Sequence, residues 1–197
     1  MKRSKPYHHE NLQEALLRAA ISLIAEVGPA AFTLREVARR AGVSHNAPYR
    51  HFRNKDDVIA AVAGEGFREL IRGMRAAADK QGNALDRLKN AGVAYIEFAL
   101  RRPEHFAVMF DAPDPERESA EAAGSAKEAF AMLVKLVEAA QEEGHMAQGD
   151  AQQQALFAWS IVHGVAKLAT AGRLPFRSRA GVVKFAEFVV NQSLAGI

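Results

Sequence analysis

Apolar residues recur every three or four positions through almost the whole chain, and no convincing run alternates on a period of two. That spacing commits the chain to helices, because a side chain returns to one face of an α-helix after about 3.6 residues and to one face of a strand after two. The first repeat is Leu12, Leu16, Ala19, Ala20, Leu23, Ile24 and Val27, closed by Gly28-Pro29. Thr33-Leu34-Arg35-Glu36 then has the form of a capping box, which predicts a second helix from Leu34 that buries Leu34, Val37, Ala38 and Ala41 and stops at Gly42. Ser44 opens a very short third helix, about His45 to His51, and Asn54 with Asp57 opens a fourth that runs to about Ala78. Five more are expected over 84–101, 104–110, 115–143, 151–171 and 179–194, giving an all-α fold of about nine helices.

Composition narrows the function classes. With no cysteine among 197 residues, disulfides, thiolate zinc sites and thiol nucleophiles are excluded. Nucleotide-binding glycine motifs, His-Glu-x-x-His and Gly-x-Ser-x-Gly are also missing, so no enzyme activity, cofactor or metal is expected. The stretch Ala155 to Ala171 is interrupted by Trp159, Ser160, His163 and Lys167, too polar for a membrane span, and the polar N-terminus predicts a cytoplasmic protein. The net charge of +3 hides an asymmetry. Ten Lys/Arg face four Asp/Glu through residue 55, leaving sixteen against nineteen in the remainder. A basic head on a mildly acidic body fits a nucleic-acid-binding module joined to a non-binding domain, and equally a solvated basic face.

Helix, glycine turn and short helix over Thr33 to Phe52 have the proportions of a helix-turn-helix. On the short helix Pro48 and Phe52 fall on one side, leaving His45, Asn46, Tyr49 and Arg50 outward. His45 and Asn46 are the candidates for reading bases. Tyr49, Ser44, Thr33 and Lys55 suit phosphates, and Arg35 with Arg50 completes the expected DNA-contacting set. Thr33, Ser44 and Asn54 also serve as helix caps, a role compatible with touching phosphate.

Thr33-Leu34-Arg35-Glu36-Val37-Ala38, Ala41-Gly42-Val43-Ser44, Tyr49-Arg50-His51-Phe52 and Asn54-Lys55 together closely resemble the N-terminal helix-turn-helix of TetR-family transcriptional regulators, over about residues 10–60. The resemblance implies an all-helical homodimer that represses at a palindromic operator in double-stranded DNA and is released by a small-molecule effector. It also gives His51 the place of the histidine near the end of the recognition helix. Many members carry glycine at the position of Asn46 and an aliphatic at that of Pro48, so base choice is not transferred. A second resemblance, to the C-terminal domain type named for Trp-His-Gly, rests on Arg102-Pro103-Glu104-His105-Phe106, Met109-Phe110, Trp159 and His163-Gly164.

The expected domains are therefore 1–55, a helix-turn-helix head with a short basic arm, and 56–197, a helical effector-binding and dimerisation body. Phe67, Met74, Tyr95, Phe98, Met109, Phe110 and Phe130, with Trp159 and His163 one turn apart, are candidates to line an effector pocket or to fill the core. The last two long helices are apolar around much of their circumference, which points to burial of Phe157, Ile161, Gly164, Val165, Phe185, Phe188 and Val189 against a second copy. Gly164 predicts the close approach of another backbone, and Gly64 with Gly66 either softens the fourth helix or admits close packing.

Overall fold

A computed structural model of the chain describes residues 9–111 and 120–194. Along them run α1 (His9–Val27), α2 (Leu34–Arg40), α3 (Lys55–Ala78), α4 (Ala84–Arg101), α5 (Pro103–Phe110), α6 (Ala120–Glu142), α7 (Ala151–Thr170) and α8 (Arg179–Leu194), with no strand among the described residues. The basic arm at 1–8 and the helical start expected at 115–119 lie outside them. Two compact units divide the chain. One holds the chain through Glu65 and the segment from Glu104; the other holds Gly66–Pro103 and the chain from Ala123. Helix α3 crosses the boundary unbroken, with Gly64 and Gly66 both buried. No helix of the described residues is long and apolar enough to cross a membrane.

In the first unit α1 packs on α2. Leu16, Ala20, Val37 and Phe32 are each 2% exposed or less. The capping box forms in both directions: Glu36 N–H donates to Thr33 Oγ1 at 3.3 Å, and Thr33 N–H donates to Glu36 Oε2 at 2.8 Å. Arg40 braces the two helices from the side, donating to Glu26 through both terminal guanidinium nitrogens, Nη1 and Nη2, at 2.5 and 2.6 Å and to Ser22 Oγ at 2.7 Å. That guanidinium holds the Glu26 carboxyl below its usual range. Gly42 at φ +69° takes the left-handed conformation that lets Val43 N–H reach back to Ala38 O at 3.0 Å and close α2.

The third element departs from expectation. In place of an α-helix over His45 to His51 there is a single 3-10 turn, Pro48–Arg50, reached through turns. Proline explains the difference, because it brings no N–H and disfavours a helical backbone at the residue before it. The bonds that form mostly span three residues: Ala47 N–H to Ser44 O at 2.9 Å, Arg50 N–H to Ala47 O at 3.3 Å and His51 N–H to Pro48 O at 2.9 Å.

In the second unit α4 packs on both α7 and α8, which also pack on each other. Small residues bring these helices together: Ala91, Ala99, Ala155, Ala166 and Ala186 are fully buried. A Cβ at Gly92 would stand 3.4 Å from methyls of Val162 and of Val190. Gly164 does not play this part. Nothing lies within 4 Å of a Cβ built there, so the close neighbour expected at Gly164 is not found among the described residues, and Gly92 is a glycine that does admit one. Glu143, just past α6, accepts from Ala84 N–H at 2.7 Å and Arg87 Nη2 at 2.6 Å, two contacts that hold its carboxyl below the usual range and cap α4. The buried Gln141 amide donates to Ala147 O, Gly149 O and Gln154 Oε1 at 3.0 to 3.2 Å, fixing the turn into α7.

Candidate nucleic-acid interface and effector-site residues

The segment between α2 and α3 sorts its side chains sharply. Ala47, Pro48 and Phe52 are buried, whereas Ser44, His45, Asn46, Tyr49 and Arg50 are exposed, Tyr49 by 52%. Arg35 and Thr33 are also exposed, on the first turn of α2 and at its N-cap. The arrangement offers two short polar stretches, Ser44 to Asn46 and Tyr49 to Arg50, either side of an apolar anchor. His51 is half-buried, and its Nε2 is shielded from solvent with no hydrogen bond among the described residues.

Lys55 opens α3 with Asn54 behind it, whose Oδ1 accepts from Asp57 N–H at 2.9 Å. Its ammonium donates to Ala30 O at 2.5 Å and stands 4.9 Å from the centre of the Phe32 ring. These contacts fix the charge beside the start of α2, and an ammonium has three donors, so further acceptors can be engaged there. Arg53 is committed differently, to Asp57 at 2.9 Å.

In the second unit Tyr95 is the hub of a polar group within an apolar core. Trp159 Nε1–H donates to Tyr95 Oη at 3.2 Å, and Tyr95 Oη lies 2.8 Å from His163 Nδ1. Indole nitrogen is only a donor, so Tyr95 accepts there, and its hydroxyl pairs with His163 Nδ1 in the direction that the imidazole tautomer sets. Burial pushes the Tyr95 phenol well above its usual range, so it keeps its hydrogen at any ordinary pH. Phe130 meets the Trp159 ring edge-on at 6.3 Å. Tyr95→Phe removes both bonds and should destabilise the protein by about 1–3 kcal/mol. Urea unfolding checks the cost, and emission of Trp159, the sole tryptophan, should shift in the folded variant.

The remaining pocket candidates separate. Phe67, Met74 and Phe98 are at most 4% exposed, and Phe130, Trp159 and His163 are half-buried. Met109 is buried and Phe110 half-buried, with the Phe110 ring 5.0 Å from that of Phe106, all in the first unit. Among the proposed interface residues Phe157 and Phe188 are exposed, Ile161, Gly164, Phe185 and Val189 are intermediate, and Val165 is already buried within the protomer.

Residues 88–191 match the family model for the C-terminal domain of tetracyclin-repressor-like proteins, and residues 16–62 match that for bacterial regulatory proteins of the tetR family. The chain belongs to the TetR family. It is similar to an HTH-type transcriptional repressor of Mycobacterium tuberculosis, 32% identical over 127 residues that make up 60% of this chain and 67% of the relative. A solved protein of Rhodococcus sp. RHA1 superposes with a TM-score of 0.86 at 31% identity, covering 98% of this chain and 99% of that one. FadR of Bacillus subtilis, solved with stearoyl-CoA, shares the fold at a TM-score of 0.80 and 16% identity, over 94% and 99% of the two chains.

Two features of this TetR-family regulator were not legible from residue types alone. The Arg40–Glu26 brace joins positions whose charges look like ordinary solvated helix faces, and the Lys55 contact is made to a backbone carbonyl, which leaves no trace in side-chain pattern.

Proposed function

We propose that this TetR-family regulator is a repressor whose head, residues 1–55, binds a palindromic operator in double-stranded DNA, and whose body, residues 56–197, dimerises and takes up a small-molecule effector. One observation carries the DNA assignment: His45, Asn46, Tyr49 and Arg50 are exposed together while Pro48 and Phe52 anchor the same short segment. His45 and Asn46 are assigned to base edges. Thr33, Arg35, Ser44, Tyr49 and Lys55 are assigned to phosphates, the last from its fixed position beside α2, as is His51 through Nδ1, since its Nε2 is shielded. A dimer would present two such segments about 34 Å apart, or a multiple of that, on successive major-groove faces.

The effector is assigned to the neighbourhood of Phe130, Trp159 and His163, half-buried side chains of the body next to the buried Tyr95. A ligand there that favours one spacing of the heads needs a coupling of only about 1–3 kcal/mol. No cofactor or catalytic step enters this scheme, and a cytoplasmic location follows from a DNA target.

A gel shift with duplex from the region flanking the chain's own gene tests the assignment. Retardation of that duplex is expected, and none at low salt overturns it. Lys55→Ala should weaken binding to every sequence and lower the steepness of log K against log salt by about 1, the share of one phosphate contact. Unchanged steepness would remove Lys55 from the interface.

A further inference from the structure

An asparagine in a turn ordinarily hydrogen-bonds backbone two or three residues on. Asn46 does not. The 3-10 turn that follows it has no side-chain cap, and among the described residues Asn46 makes no hydrogen bond. Arg50 is equally unengaged, although Arg40 and Arg53, ten and three residues away, are each held by a carboxylate. Two exposed planar groups, a carboxamide and a guanidinium, thus have no bond to the protein's own polar atoms among the described residues.

Their chemistry is selective. A carboxamide offers a donor and an acceptor side by side, which matches N7 and N6–H of adenine, whereas a guanidinium offers paired donors, which match O6 and N7 of guanine. Cytosine presents only a donor in the major groove and thymine a single acceptor, so neither satisfies either group twice. Four residues separate the two groups. At the rise of roughly 2 Å per residue that three-residue bonds give, the two backbones are about 8 Å apart along the segment, and long side chains at that spacing can reach bases two or three steps of about 3.4 Å apart.

We propose that Asn46 selects an adenine and Arg50 a guanine, two or three base pairs apart, in each half of the operator. The proposal rests on the DNA-binding reading above and adds the identity of the bases.

Selection of duplexes with a random core by the full-length protein, followed by sequencing, tests it. The expected product is an inverted repeat with one adenine and one guanine column at that spacing in each half, each preferred at least about tenfold over other bases. Asn46→Ala should flatten the adenine column alone and Arg50→Ala the guanine column alone. Arg50→Lys should keep most of the affinity for random duplex while losing the guanine preference, because a point charge retains attraction but not the two-pronged match. Asn46→Asp, an acceptor only, should move its column from adenine toward cytosine. Both positions are exposed, so thermal melts of the variants should match that of the parent.

Enrichment of a repeat without these columns overturns the proposal and leaves the regulator a DNA-binding protein. The proposal is overturned in the same way if Asn46→Ala and Arg50→Ala lower affinity evenly and leave the columns intact, which is the behaviour of phosphate contacts. If no duplex is enriched by the parent protein, the DNA-binding reading falls and this proposal with it.

Discussion

Phe157→Glu combined with Phe188→Glu is expected to turn the protein into a monomer and to weaken operator binding by about a hundredfold or more. Phe157 and Phe188 are 47% and 58% exposed, and Leu156 and Leu168 on α7 are 50% and 48% exposed. Apolar side chains of this size, concentrated on α7 and α8, are what a helical domain leaves uncovered for a partner. Open space beside Gly164 on α7 adds room for one. A carboxylate at each phenylalanine would have to be buried unpaired against its copy, a cost that a homodimer meets twice. Affinity falls because each head then binds alone, and linking two weak sites raises overall binding by about 10²–10⁴ without a new contact. Sedimentation velocity and a gel shift on the same samples check both parts. A variant that still sediments as a dimer would place the interface elsewhere.

Phe98→Ala should cost about 3–5 kcal/mol. Phe98 is 1% exposed on α4, the helix that meets both α7 and α8, so its removal leaves a cavity in close-packed interior. At about 2–4 °C per kcal/mol for a chain of this size, the melting temperature should fall by about 6–20 °C, read by circular dichroism at fixed protein concentration. A loss under about 1 kcal/mol would mean that the surroundings of Phe98 collapse to fill the space, against the close packing its burial implies.

The helices were legible where a local rule decides them. Thr33 and Glu36 cap α2 reciprocally, Gly42 closes it with positive φ, and Asn54 caps α3, all within three or four residues of sequence. Pro48 shows the limit of such a rule. Its ring suits the first turn of a helix, yet in a segment this short the missing N–H and the restriction on Ala47 leave one 3-10 turn instead. Side-chain sorting survived the change, because Pro48 and Phe52 still turn inward and Tyr49 and Arg50 outward. Long-range pairings were out of reach. Nothing in the spacing ties Tyr95 to His163, 68 residues on, or marks Gly92 instead of Gly164 as the place where α4 meets α7 and α8 closely. For the same reason the aromatic candidates could not be divided beforehand into the buried Phe67, Met74 and Phe98 and the half-buried group around Trp159.

The central claim is that the exposed side chains between Ser44 and Arg50 enter a DNA groove, and salt-titrated fluorescence anisotropy on labelled duplex tests it most directly. Between about 50 and 200 mM salt the apparent association constant should fall linearly on a log–log plot, by about 0.9 per phosphate engaged. Lys55→Ala should make that fall shallower, whereas Tyr49→Ala, which removes a hydroxyl and no charge, should lower affinity at every salt concentration and leave the slope unchanged. Absence of any rise in anisotropy at the lowest salt would contradict the account.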